Sequence, residues 1–446
     1  MNAAREIGGY DVIVAGGGAG GFAAATAAGR AGARVLLLER EGCLGGGATT
    51  MLVHPFMTHL TQPDAGGSCK AVNAGLFAEV VGRLQARGAA VLAGRCWRFD
   101  DEAMKLLLDE IVAEAGVEVI FHAVLFDAEV SAGRVQAARF AHNGGPLRAT
   151  GKVFIDGTGD ALLAWSAGAE CMFGDHHGQV MPMTLNFVVG GVDLSTLPST
   201  AKLRELAAEG EQGNPPLANT NVSCVTSPRE GYVQFNAIRT PGDTLDPADV
   251  SRAETEGRRR VDNFVAWLRA KVPGCQACYL AKTGGHVGIR ESRRVLGDYV
   301  LSHDDFRGKR TFDDGIACCS YDVDIHGQSQ GQTRIERLGP GGYYQIPYRC
   351  LTPKGLANLL VAGRGISADV EAHSSLRIMP TVMCVGQAAG IAAAMSLPGG
   401  DVRAIDVQDL RRRVRQAGGV LEPSLGLGGA CLPASKQAVG PKGDRA

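Results

Sequence analysis

An α/β fold is predicted: a parallel sheet extended by a β-meander, with a second α+β domain inserted into it. Three observations lead there. Residues 10–40 read strand, glycine turn, helix, strand. Both strands, Tyr10 to Ala15 and Arg34 to Glu39, are nearly all apolar, as in a parallel sheet covered on two faces. The texture then changes between about 184 and 345, and a buried-strand pattern returns at Leu359-Leu-Val-Ala-Gly363.

The first strand runs into Gly16-Gly-Gly18-Ala-Gly-Gly21, and the alanine-rich stretch Phe22 to Ala31 is a strong helix former closed by Gly32. Apolar residues at helical spacing predict helices over 76–86 and 101–114, the second ended by Gly116. Residues 124–155 alternate as a meander that turns at Asn143-Gly144-Gly145. In the inserted segment, 184–189 and 231–238 read as strands. Asp246 caps a long helix that starts at Pro247 and stops near Val272, before Pro273-Gly274. A small-residue helix opens at Pro380 or Thr381, and a last helix lies between Asp406 and Gly418. The expected domains are therefore 9–183 with 346–418, an insert at 184–345, and a flexible tail at 419–446.

Composition narrows the function. The chain has 446 residues, 45% hydrophobic, with 45 basic residues against 46 acidic and a net charge of −1. That balance gives no general attraction to nucleic acid or anionic lipid. No apolar run suggests a membrane span, and no secretory leader is expected at Met1 to Tyr10. Twelve cysteines without regular spacing do not form a disulfide framework, so a reducing cytoplasm is expected. Of the 62 glycines, 13 fall in the first 50 residues, where they point to bends and close approach to a ligand.

Those glycines carry a dinucleotide signature. Gly16 permits a tight turn, Gly18 lets backbone approach a pyrophosphate, and Gly21 allows close helix packing; the amides of Ala19 and Gly20 open the helix. Glu39, followed by Arg40, closes the second strand where a carboxylate accepts ribose hydroxyls. A second small-residue loop, Gly45, Gly46, Gly47, Ala48 and Thr49, follows at once. An extended FAD needs such a loop more than a nicotinamide cofactor does. Gly157, Gly159 and Asp160 follow another strand, and Gly363 with Arg364 a third.

These residues resemble the FAD-dependent oxidoreductases of the glutathione-reductase-like flavoprotein superfamily. The likeness rests on Asp11-Val-Ile-Val-Ala-Gly-Gly-Gly18, Phe154-Ile-Asp-Gly-Thr-Gly-Asp160, Met181-Pro-Met-Thr184 and Gly288-Ile-Arg-Glu-Ser-Arg-Arg294. It continues through Tyr344-Gln-Ile-Pro-Tyr348, Asn358-Leu-Leu-Val-Ala-Gly-Arg364 and Leu376-Arg-Ile-Met-Pro-Thr-Val-Met-Cys-Val-Gly-Gln-Ala-Ala-Gly390. The resemblance implies a Rossmann-like FAD-binding domain with the adenine near Val124, the 45–50 loop near the flavin ring, and Gly363 and the Thr381 helix at its pyrimidine end.

FAD would perform the electron transfer, leaving the protein to orient a small organic substrate and manage a proton. The candidates are His373, His54, His286, Arg290 and Arg377. The family commonly has a histidine where Val370 stands and an apolar residue where His373 stands, so His373 marks a departure. Arg290 and Arg377 could clamp a substrate carboxylate, face the flavin, or form internal ion pairs. No metal is expected: His54 and His59 are five apart in a loop, where spacing alone does not define ligand geometry. Cys43 and the Cys275/Cys278 pair offer dithiol chemistry as an alternative. The expected activity is hydride transfer between flavin and a C–OH, C–N or C–C bond, with oxygen or a separate carrier as electron acceptor and a homo-oligomer possible. A flavin subunit of a larger redox complex and a flavin-dependent RNA-modifying protein are the competing readings.

Overall fold

The parallel sheet grows outward from the strand Arg5–Ala15, buried from Val12 onward. In the computed structural model, which describes residues 3–210, 222–328 and 333–424, this strand pairs in parallel with Val35–Leu38 on one side and Leu147–Asp156 on the other. Glu118–Ile120 extends the sheet beyond Val35–Leu38. Leu147–Asp156 is shared: its first residues pair antiparallel with Arg134–Ala141, and its last three pair in parallel with Leu359–Val361. Val124–Ser131 completes the meander.

Two helices meet at close range beneath the sheet. A Cβ on Gly386 would stand 2.2 Å from the carbonyl oxygen of Gly20, and one on Gly390 would stand 2.1 Å from that of Ala24. Only glycine lets Met379–Ser396 sit this close to Ala19–Arg30. Met379–Ser396 has the length and apolarity of a membrane span, but 83% of it is buried inside the fold. It is a core helix, and it starts at Met379, just ahead of the expected position.

The insert has its own core. Met183–Gly190, buried throughout, is a central strand of an antiparallel sheet with Val233–Thr240, Tyr279–Thr283 and Ser223–Thr226. The helix Pro247–Lys271, capped by the Asp246 carboxylate, lays Phe264 across Phe187 and Phe235, with ring centroids 5.6 Å apart. This core ends at Val287, and residues from Val295 to Tyr348 pack into the first core instead. Arg293–Val295 already pairs with Cys171–Phe173. The expected boundary at 345 is thus corrected to the neighbourhood of residue 290. Strand texture alone does not reveal which sheet a segment will join.

The far end is also packed beyond the expected start of the tail at 419. Leu421 is buried, and its carbonyl accepts a 2.6 Å hydrogen bond from Gln345. The remainder of that expected tail, 425–446, lies outside the described residues.

Candidate functional site

The strands Arg5–Ala15, Val35–Leu38, Leu147–Asp156 and Leu359–Val361 all end at one cavity of about 720 Å³. Gly16, Gly18, Ala19 and Gly20 line it together with Glu39, Arg40, Gly157, Gly159, Asp160, Gly363 and Arg364. Gly16 adopts φ +93°, where a Cβ would collide with Gly157 at 2.7 Å. Gly21 does not reach the cavity: it packs on Gly16, whose carbonyl oxygen would lie 1.9 Å from a Cβ.

These residues fit an extended dinucleotide. A Cβ on Gly363 would meet nothing within 4 Å, and one on Gly18 only the Gly157 oxygen at 3.9 Å. Both glycines therefore face open cavity. The first intrahelical bond runs from Phe22 N–H to the Gly18 carbonyl, and no side chain caps the helix. The amides of Ala19 and Gly20 are left without an intrahelical partner, as a phosphate site would require. Glu39 is buried and accepts from the amides of Gly17 and Glu41, which fixes its carboxylate and leaves lone pairs for ribose hydroxyls. Asp160 accepts from Arg364 at 2.5 Å and from Ser292 at 2.6 Å. Burial opposes its ionisation, but these partners outweigh it and hold the carboxyl below its usual range.

Gly46 and Gly47 line the cavity, whereas Gly45, Ala48 and Thr49 brace their loop from behind. The Gly45 amide donates to Gly17 at 2.9 Å and the Thr49 hydroxyl to Leu44 at 2.6 Å. Val124 stands at the wall, where Ala123, Leu125 and Phe140 add an apolar surface not foreseen from the motif. Thr381 is fully buried and off the wall; Ile378, Met379 and Val382 present that helix instead.

The five catalytic candidates separate. His373 is corrected: it is fully buried in the helix Val370–Leu376 and does not line the cavity. Burial, then the charges of Arg294 and Arg377, holds its imidazole well below its ordinary pKa. Its neighbour Ser374 and Arg377, four residues on, reach the cavity instead. His54 lines the cavity and rests against Phe99, with ring centroids 4.4 Å apart. His286 lies 3.4 Å from Glu41 and 3.2 Å from Arg40, among the groups next to Glu39. Arg290 and Arg377 both line the side of the cavity facing the inserted sheet.

On that side the topology brings Arg290 together with Asn236, Arg239, Asp324 and His326, which no motif announced. Arg290 donates to Pro182 at 3.0 Å, to the Thr184 hydroxyl and to Asn236 at 3.3 Å. Arg239, opposite Thr184 in the sheet, reaches Thr333 at 3.5 Å. Asp324 and His326 are two apart on one strand and so share a face. Asp324 accepts from Tyr321 at 3.1 Å and lies 3.4 Å from His326. Burial works against the Asp324 carboxylate, yet His326, Arg377 and Tyr321 keep it well below the usual carboxylate range. The alternation in Tyr321-Asp-Val-Asp-Ile-His326 was the available signal. The loop 45–53 joins the two halves of the cavity: Asn186 donates to the Met51 carbonyl at 2.9 Å, and Gly285 to Thr50 at 2.8 Å.

Burial pushes His54, His59 and His326 down to about 4 each. Because these folded values lie below the unfolded 6.5, neutrality contributes stability above pH 6.5, and that contribution is lost as pH falls toward 4. Stability should therefore decline across this window, and the imidazole resonances of all three should show no titration above about pH 5.5. A midpoint near 6.5 for His54 or His326 would contradict their burial. The thiols are unsuited to redox exchange: Cys275 and Cys278 are buried, and burial raises the Cys275 thiol to about 12. Cys43 contacts the Thr49 and Thr50 hydroxyls, at 3.8 and 3.7 Å.

Among solved structures, the chain is similar to a geranylgeranyl bacteriochlorophyll reductase-like protein from Thermoplasma acidophilum. Identity is 12%, covering 92% of this chain and 84% of that one, with a TM-score of 0.47. The anhydrotetracycline hydroxylase OxyS from Streptomyces rimosus is 13% identical, with 93% and 67% covered and a TM-score of 0.43. The flavin-dependent brominase Bmp2 is 12% identical, with 93% and 84% covered and a TM-score of 0.42. No curated protein matches the sequence. Residues 11–414 match the family model for FAD dependent oxidoreductases, and the chain belongs to that family, with FAD as its cofactor.

Proposed function

We propose that this protein is an FAD-dependent oxidoreductase of the glutathione-reductase-like superfamily that moves a hydride between a small organic substrate and the flavin. One observation carries the reading: the glycine-lined dinucleotide site and the polar wall of Asn186, Asn236, Arg290, Tyr321 and Asp324 belong to a single cavity. Bound FAD supplies the two-electron chemistry. The chain's own residues orient the substrate from the inserted sheet, and the 45–53 loop holds the two halves of the cavity in register. His54 and His326, both neutral at pH 7, and the Asp324–Tyr321 pair are the groups available to hold or move a proton. The sequence carries one G-x-G-x-x-G between strand and helix and no second, which supports reoxidation by oxygen or a separate carrier over a built-in nicotinamide domain.

Anaerobic addition of alcohols, amines and acids to the purified flavoprotein tests the reading. Bleaching of the flavin absorbance by one of these classes is the expected result. A protein that takes up no FAD, or whose flavin is reduced by dithionite but by none of the panel, would overturn it.

A further inference from the structure

The geometry points to a carboxylate-binding subsite built from Arg290, Arg377 and Arg239, so that the substrate of the proposed reaction is an organic acid. This inference rests on the reading of the cavity as a substrate site and names the substrate's charge. Three guanidiniums converge on one wall from separate elements. Arg239 comes from the strand Val233–Thr240, Arg290 from the segment after Gly288, and Arg377 from the end of the helix Val370–Leu376.

None of the three has a carboxylate within 4 Å among the described residues. Their partners are neutral: Thr333 for Arg239; Pro182, Thr184 and Asn236 for Arg290; the Asp324 carbonyl at 3.2 Å and Met181 sulfur at 3.4 Å for Arg377. The buried Nε atoms of Arg239 and Arg377 have no partner among the described residues. Asp324, the acid on this wall, accepts from Tyr321, lies 3.4 Å from His326 and has no ion-pair contact with any of the three arginines among the described residues. The dinucleotide side differs sharply, for there Arg364 pairs with Asp160 and Arg40 with Glu41. Three guanidiniums facing one carboxylate, Asp324, leave an excess of positive charge on this wall that is costly until an anion arrives. A planar guanidinium matches a carboxylate bidentately, and the Thr184 and Asn236 contacts hold Arg290 in place for that pairing. Burial and the like charges of Arg377 and Arg239 disfavour the Arg290 cation, in keeping with an arginine that awaits an anionic partner.

The test titrates the holoprotein with benzoate and succinate, with benzamide and succinamide as neutral matches, and with inorganic phosphate as a second anion. Binding is read by calorimetry and by perturbation of the flavin spectrum. We expect saturable binding of at least one carboxylate, no binding of its amide, and phosphate weaker than the carboxylate. Arg290→Gln and Arg377→Gln should each weaken carboxylate binding about 100-fold at unchanged FAD content, with partial rescue in Arg290→Lys. Amides that bind as well as acids, phosphate that binds in preference, or variants that lose FAD while keeping carboxylate affinity would each overturn the subsite. A holoprotein bleached by a neutral substrate but blind to carboxylates leaves the oxidoreductase reading standing and removes only this inference. Calorimetry on protein without flavin reductive activity tests the subsite when that reading fails.

Discussion

Gly21→Ala is expected to release FAD. The new Cβ would lie 1.9 Å from the Gly16 carbonyl oxygen and 3.3 Å from the Cα of Gly157. Backbone atoms in two strand-end turns cannot swing aside as a flexible side chain would, so the helix Ala19–Arg30 must move. That shift would carry the amides of Ala19 and Gly20 away from the place a pyrophosphate would occupy. Overpacking of this kind costs roughly 2–3 kcal/mol. Expressed as affinity, the loss is about 100-fold in FAD binding. The ratio of flavin to protein absorbance after gel filtration measures it directly. Gly82→Ala is the matched control, because a Cβ at Gly82, within the helix Leu76–Ala86, meets nothing within 4 Å. It should retain full flavin and gain about 0.5–1 kcal/mol from better helix propensity. Full flavin retention in Gly21→Ala would show that the turn is not set by this contact.

Arg294→Met should produce the largest loss of stability at any single ion pair. The side chains of Arg294 and Glu291 are 3% and 1% exposed. Arg294 also donates to Ala368 at 3.0 Å and to Gly174 at 2.9 Å, while Glu291 accepts from the Met181 amide at 3.2 Å. Removing the guanidinium strands a buried carboxylate and two buried carbonyls together. Breaking one partner of such a pair costs about 3–5 kcal/mol. Replacing both partners, Glu291→Met with Arg294→Met, removes the stranded charge and should recover much of that loss. Urea-unfolding midpoints of the two variants decide the matter. A single variant as stable as the parent, or a double variant no better than the single one, would contradict the account. The pair also explains why Gly288-Ile-Arg-Glu-Ser-Arg-Arg294 is so dense in charge: Arg290 serves the cavity, whereas Glu291 and Arg294 clamp the junction of the two cores.

Much of the glycine-lined end of the cavity was legible because its physics is local. A strand end, a glycine turn and a helix N-terminus lie within a dozen residues, and Glu39 follows at the end of the next strand. Positive φ at Gly16 and close approach at Gly21 are demands that only glycine meets, so the residue types report the geometry. The Asp246 and Asp406 caps were legible for the same reason, since a cap and its helix are neighbours in sequence.

The substrate side is a different case. His373 drew notice by its place in a motif, yet helical rotation turns it into the core and presents Ser374 and Arg377 to the cavity. Arg239, Arg290, Asp324, His326 and Arg377 are scattered over 139 positions of sequence number, from 239 to 377. No spacing rule connects them, because the inserted antiparallel sheet, a hairpin and a helix end bring them together only after folding. The boundary near 290, in place of 345, has the same origin: Val295 to Tyr348 joins the first core through contacts with residues far away in the chain. The sequence by itself therefore determined the parallel sheet, its glycine turns and FAD as the cofactor, since hydrogen bonding and backbone sterics act between near neighbours. Only the tertiary structure decided which charged side chains share the cavity, because burial and charge compensation depend on whatever the fold places opposite them.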